Sequence, residues 1–311
     1  LRYYIGNTDF DWFTYLAQKR QDDVNFWRPG GGSEFKNLLP GSPFLFRLKG
    51  DIKMIGGVGF FVRFSHLPLS MAWDTFREAN GCESLFQFQK VINSYRKTFD
   101  ANPTIGCIAL TNPVFFKRED WIPQPKDWAP SGIVQGKGYD TETEIGRLIW
   151  KQVEDHLERY LYLEQDNLSQ ESFIDVEPRY KMGILSKIRL GQAGFRLVVT
   201  EAYNRKCAIT GEKTLPVLDA AHIKPFAELG PSITANGLLL RSDIHRLFDM
   251  GYITVTSGYQ VEISRRIKEE FQNGKEYYQF HGKSLHHLPD QVFDRPQEQY
   301  LSWHNEHIFK S

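Results

Sequence analysis

Cysteine is scarce in this 311-residue chain: Cys82, Cys107 and Cys207 are widely spaced, odd in number and form no CxxC pair. A disulfide framework is therefore not expected. Long apolar runs are also missing, since none reaches the roughly 18 residues that a membrane-crossing helix needs, and the N-terminus lacks a signal-peptide pattern. These absences predict a soluble, cytoplasmic protein with no membrane association. Neither sign of charge is in excess, Lys+Arg and Asp+Glu each numbering 38, so the total names no acidic or basic partner. No internal repeat is visible.

What the chain does have is an apolar content of 41% and an aromatic content of 14%, which exclude general disorder. Its length allows two domains, each with its own core. Charge is divided unevenly: residues 178–311 hold 18 Lys+Arg against 14 Asp+Glu, and residues 1–177 hold 20 against 24. The basic excess is small and supports nucleic-acid binding only weakly. The polar stretch Glu164 to Pro178 reads as a linker, placing one domain at 1–163 and another at 179–311.

The most informative stretch runs from Cys207 to Tyr252, where His222, Asn236 and His245 follow at intervals of 14 and 9 residues. Val217 to Ile223 alternates as a short strand does, so Asp219 and His222 fall on opposite pleats. From Ser242 the period lengthens to that of a helix. Ile244, Leu247 and Phe248 form its apolar face, Ser242 or Asp243 is its expected N-cap, and His245 and Asp249 stand at i and i+4. That spacing lets one imidazole and one carboxylate reach the same cation. A lone histidine on a strand is ordinarily just a polar residue, and Asn236-Gly237 alone would be a turn. The joint pattern is what carries information.

The segments DAAHIKP, NGLLL and DIHRLFD resemble the HNH nuclease family, the ββα-metal fold, in its restriction-type branch. The resemblance extends over residues 189–211 upstream and to 301–309 downstream. It implies that His222 is the general base, that His245 binds the metal, and that Asn236 braces the loop carrying the base. One divalent ion, Mg²⁺ or Mn²⁺, is implied at the scissile phosphate. Many members place an acidic residue or histidine directly before the base, where this chain has Ala221; Asp219 is the candidate replacement and Asp249 a second. The four-cysteine structural zinc of some relatives is not expected, because Thr210 stands where a partner for Cys207 would fall. Arg189, Arg196, Arg241 and Arg246 are candidate DNA-phosphate contacts, although solvated helix faces fit the same residues. The histidines of the tail are not read as a metal site, since Trp303 and Phe309 suggest a packing helix.

Upstream, Tyr3 to Gly6 reads as a strand and Asp9 to Gln18 as a helix with Asp9 near its cap. Residues 25–35, around Pro-Gly-Gly-Gly, read as a flexible loop flanked by aromatics. Pro43–Leu48 and Met54–Phe64 read as a hairpin, followed by helices at Ser70–Asn80 and Glu83–Phe99 and a strand at Thr104–Leu110. Gly136-Lys137-Gly138 reads as a loop whose lysine is a possible backbone contact. A helix from Glu142 to Leu163 should bury Ile145, Leu148, Ile149, Val153, Leu157, Tyr160 and Leu161.

This order, with GSPFLFRLKGDIKMIGGVGFFVRF at its centre, is similar to PUA-like domains of the EVE and ASCH kind, in which a small β-barrel holds a modified or flipped base. Phe26, Trp27 and Trp73 are the candidate pocket walls. The expected fold is thus α+β, an N-terminal PUA-like β-barrel with helices and a C-terminal ββα-metal HNH domain. The expected function is a restriction endonuclease acting on double-stranded DNA with modified bases such as modified cytosine, working as a homodimer. A reader of phosphorothioate or unmodified sequence, and an inactive HNH-fold DNA-binding protein, are the alternatives.

Overall fold

In the computed structural model, residues 1–19, 21–30, 34–129, 132, 135–168 and 190–311 are described, and the chain divides into two compact units, Leu1–Leu190 and Gly191–Ser311. Arg189 and residues 169–178 of the expected linker lie outside the described residues.

The first unit runs β1 (Arg2–Thr8), α1 (Phe10–Ala17), β2 (Asp23–Arg28), β3 (Pro43–Leu48), β4 (Met54–Pro68), α2 (Leu69–Phe76), α3 (Leu85–Ser94), β5 (Thr104–Phe115), β6 (Ile122–Pro123), β7 (Gly136–Asp140) and α4 (Glu144–Leu168). Its strands form one sheet in the order β2-β5-β4-β3-β1-β7, with β6 on β4; β1 and β3 are parallel and the other pairs antiparallel. Among the described residues the path is open at β2 and β7, and no closed barrel forms.

The two faces of β1 sort its side chains. Tyr3 and Ile5 join Leu45, Val58 and Tyr139 in a core covered by Ile149, Val153 and Leu157 of α4. Leu148, expected inside, is 56% exposed because it falls outside that stripe. Tyr4 and Gly6 face the other way, toward Phe26 and Phe44; a Cβ on Gly6 would sit 2.4 Å from the Phe44 ring, so only glycine fits there.

Three expectations are corrected. Residues 25–28, read as the start of a loop, belong to strand β2 (Asp23–Arg28), which is paired in register with Gly106–Thr111 of β5. The Pro-Gly run that follows masked its β-branched and aromatic content. Gly136–Asp140 is an edge strand against β1, held there by tertiary pairing that glycines do not announce, and Lys137 pairs with Asp127 at 2.6 Å. The helix expected to reach Phe99 stops at Ser94, burying Phe88 and Ile92 while Leu85, Phe86 and Tyr95 stay exposed.

The second unit runs α5 (Gln192–Ala202), β8 (Leu218–His222), β9 (Gly237–Arg241), α6 (Ser242–Asp249), β10 (Ile253–Val255), β11 (Val261–Ile263), α7 (Arg266–Phe271), α8 (Lys275–Tyr278) and α9 (Glu298–His307). Its core gathers Phe195 and Val199 of α5, Leu238 to Leu240 of β9, Ile244 and Phe248 of α6, and Leu301 of α9. Cys207 is buried in this core, its sulfur accepting from the backbone N–H groups of Thr210 and Arg241.

His304 of α9 is 2% exposed and stacks on Phe248 at 3.7 Å. Nε2 faces the Phe248 carbonyl at 3.2 Å and Nδ1 the Thr254 hydroxyl at 2.8 Å, and that hydroxyl itself donates to Asn305 Oδ1 at 2.6 Å. Burial pushes this histidine down to about 4. The unfolded chain therefore takes up a proton near pH 6.5 that the folded chain refuses until about 4. Stability from this group is complete above pH 6.5 and is lost as pH falls toward 4, on the order of 3 kcal/mol in all. Denaturant melts between pH 7 and pH 4.5 should show that slope, and His304→Gln should lose its share of it.

Candidate functional site

The ribbon of β8 and β9 is antiparallel, setting Asp219 opposite Leu240 and His222 opposite Gly237. Helix α6 starts at the residue after β9 ends, so the ribbon aims the helix. The expected side-chain N-cap is not made. Ser242 instead donates its hydroxyl to the Val217 carbonyl at 3.0 Å, and Asp243 binds Arg241 through two bonds of 2.6 and 2.8 Å. Those contacts tie the helix start to the ribbon.

His245 on α6 stands between two carboxylates. Its Nδ1 lies 3.7 Å from Asp219 on β8 and its Nε2 lies 3.3 Å from Asp249, one helical turn on. Desolvation holds the Asp249 carboxyl above the usual carboxylate range, and the Asp219 charge adds to this against the pull of His245. Crowded negative charge around one imidazole is an arrangement that a cation relieves. Oxygen and imidazole donors suit Mg²⁺ or Mn²⁺. Yet the two carboxylates address opposite ring nitrogens, and among the described residues no trio of His, Cys, Asp and Glu is arranged to hold a metal. What the structure does bring together is one imidazole with a carboxylate facing each of its nitrogens.

His222 is partly buried, and its ring lies flat on Phe195 of α5 at 3.7 Å with an interplanar angle of 11°. Gly237, across the ribbon, makes this possible: a Cβ there would meet Val199 at 2.5 Å and Phe195 at 3.1 Å, so any side chain would push α5 away. Ser232 places its hydroxyl 3.3 Å from His222 Nε2. Desolvation, followed by the charge of His245, pushes His222 down to about 4, so the ring is neutral and proton-accepting at neutral pH.

Asn236 does not face solvent at all; it is fully buried. Its Oδ1 accepts from the Lys224 N–H at 2.9 Å, and its Nδ2 donates to the carbonyls of Lys224 at 2.9 Å and Pro231 at 3.0 Å. One amide thus closes the loop between His222 and β9.

Of the four arginines, Arg196 approaches Asp219 at 4.0 Å, Arg246 is exposed on α6, Arg241 is committed to Asp243, and Arg189 is outside the described residues. Phe195 and Ser232 were missed by sequence reasoning. An aromatic within a helix and a serine within a loop carry no spacing signal until the chain folds.

The first unit contains a cavity of about 200 Å³ walled by Trp12, Phe26, Trp27, Phe35 and Tyr95, with Asn7, Asp9 and Lys49 as polar members. Trp12 and Trp27 are fixed by their ring N–H groups, which donate to the carbonyls of Asn25 at 3.2 Å and Asn80 at 2.9 Å. Phe26 and Trp27 therefore meet at one cavity. Trp73 is not among its walls and instead lies 6.4 Å from Phe88.

A short antiparallel ribbon runs straight into a helix, with a histidine on the strand and an imidazole set among carboxylates on the helix, a ββα arrangement. Residues 207–256, within the C-terminal unit, match the family described as HNH endonuclease. Among solved structures the chain is similar to a modification-dependent TagI restriction endonuclease at 12% identity, over 93% of this chain and 76% of that one, with a TM-score of 0.29. No curated protein matches the chain. No helix among the described residues is long and apolar enough to cross a membrane.

Proposed function

We propose that the chain is a metal-dependent DNA endonuclease of a cytoplasmic restriction system, in which a PUA-like N-terminal unit reads a modified base, modified cytosine by preference, and the HNH unit cuts. The observation that carries the reading is the neutral His222, backed by Phe195 and Ser232, beside the His245 carboxylate cluster. His222 takes the proton from the water that attacks phosphorus in line. Asn236 holds the loop that carries the base, and Arg196 and Arg246 bind flanking phosphates. A divalent ion held by His245 with Asp219 would neutralise charge on the scissile phosphate and the leaving 3′ oxygen. The products carry 5′-phosphate and 3′-hydroxyl ends. One such site cuts one strand, so a twofold homodimer is the arrangement that cuts both. The aromatic cavity of the first unit supports the reader half, since a flipped base needs rings to stack on and polar groups to read its edge.

Supercoiled plasmid from modifying and non-modifying hosts, incubated with Mg²⁺ or Mn²⁺, tests the whole. Nicking and linearisation of modified DNA alone is expected. Cutting of both substrates equally would remove the reader, and binding without nicking would remove the enzyme. Asp219→Asn is expected to raise the metal concentration needed for half-maximal cleavage about tenfold, and Asp249→Asn less, because only Asp219 shares the ribbon with His222. The reverse order in a metal titration would move the site to the Nε2 side of His245.

A further inference from the structure

Asp9 stands at the N-cap of α1, where an aspartate ordinarily accepts from the helix's own N–H groups, and it makes no such bond. Its carboxylate is turned to the aromatic cavity instead. Lys49, which follows β3, donates to Asp9 Oδ1 at 2.8 Å. Tyr95 feels the carboxylate: burial, then the charge of Asp9, push the phenol up to about 12. Lys49 also lies over the Tyr95 ring at 5.5 Å. These contacts fix the carboxylate without exhausting it, because a carboxylate offers about four lone-pair sites. Two residues earlier, Asn7 is oriented by Arg47, which donates to Asn7 Oδ1 at 2.7 Å and so makes the amide nitrogen the donor side.

We propose that Asp9, held by Lys49 at the wall of this cavity, is the acceptor that selects an extruded base bearing an exocyclic amine, and so makes the cavity a reader of cytosine-class rather than thymine-class bases. The proposal rests on the reading of this unit as a base reader and adds the residue that sets its choice. The chemistry is one of edges. 5-Methylcytosine and thymine have the same ring and the same methyl group, so stacking on Trp27 or Phe26 does not tell them apart. They differ where cytosine offers an N4 amine and thymine an O4 carbonyl. A fixed anionic acceptor welcomes the first and repels the second.

The test is fluorescence anisotropy of the full chain, without divalent metal, on duplexes that differ at one position: 5-methylcytosine, cytosine or thymine, each opposite guanine. The wild type is expected to favour 5-methylcytosine over thymine by about tenfold or more, although the mismatched thymine is easier to extrude. Asp9→Asn, whose amide can turn to donate or accept, should bring that ratio to within about threefold. If it melts early, Lys49→Met removes the donor that fixes the carboxylate and should lower the ratio by about threefold. A wild type that treats all three duplexes alike sinks the reader reading and the proposal with it. A wild type that prefers 5-methylcytosine while both variants keep its full discrimination against thymine overturns the Asp9 assignment alone.

Discussion

Replacing His222 with alanine is expected to slow cleavage about 10³-fold while leaving duplex affinity within about twofold of wild type. The size follows from what the side chain supplies. Phe195 and Ser232 hold a neutral imidazole in one orientation. Because burial and His245 lower its pKa to about 4, the ring is unprotonated throughout the neutral range. The acid limb of the cleavage profile should therefore fall below pH 6.5, the ordinary position for histidine. Sign and window follow together: the depressed pKa makes His222 a source of stability above pH 6.5 that is lost as pH drops toward 4. Single-turnover cleavage, measured beside anisotropy, checks the rate and the binding separately. A variant that cuts at the wild-type rate removes His222 from the base role.

Asn236→Ala is expected to cost about 3 kcal/mol of stability and to silence cleavage, although the side chain touches no substrate. Three hydrogen bonds disappear together, leaving two carbonyls and one N–H without this partner in a buried place. The loop they close runs from His222 to β9 and includes Ser232, so its loosening reaches the base directly. Denaturant melts should show the loss. Cleavage per folded molecule, measured well below the melting point, should still fall by at least about tenfold, as expected for a misplaced base. Normal turnover in a destabilised but folded variant would make Asn236 purely structural.

How much of this was legible differs between the halves. In the C-terminal unit a strand over 217–223, a helix from Ser242 and the approach of His245 to Asp249 one turn on were all present in the spacing, because a ribbon running directly into a helix leaves little conformational choice, while Asp219 entered as a candidate ligand through the family resemblance. In the N-terminal unit the hairpin and the long helix were readable, since both bury a continuous apolar stripe. Strand β2 was hidden by the Pro-Gly run after it, and β7 by its own glycines. Asp9 was read as a helix cap for good local reasons. Its partners Lys49 and Tyr95 are 40 and 86 residues away, and no local pattern joins them.

What the sequence by itself determined, then, is the chemistry-bearing order of histidine, asparagine and histidine, because those positions are bound by short-range geometry. Only the tertiary structure decided that Phe195 lies flat on His222, that Asn236 is sealed inside its loop, and that Asp9 leaves its helix for a cavity. Each of these depends on a partner distant in the chain or on a close approach, such as that allowed by Gly237. Contacts of that kind are set by how faces pack, and periodicity along the backbone does not record them.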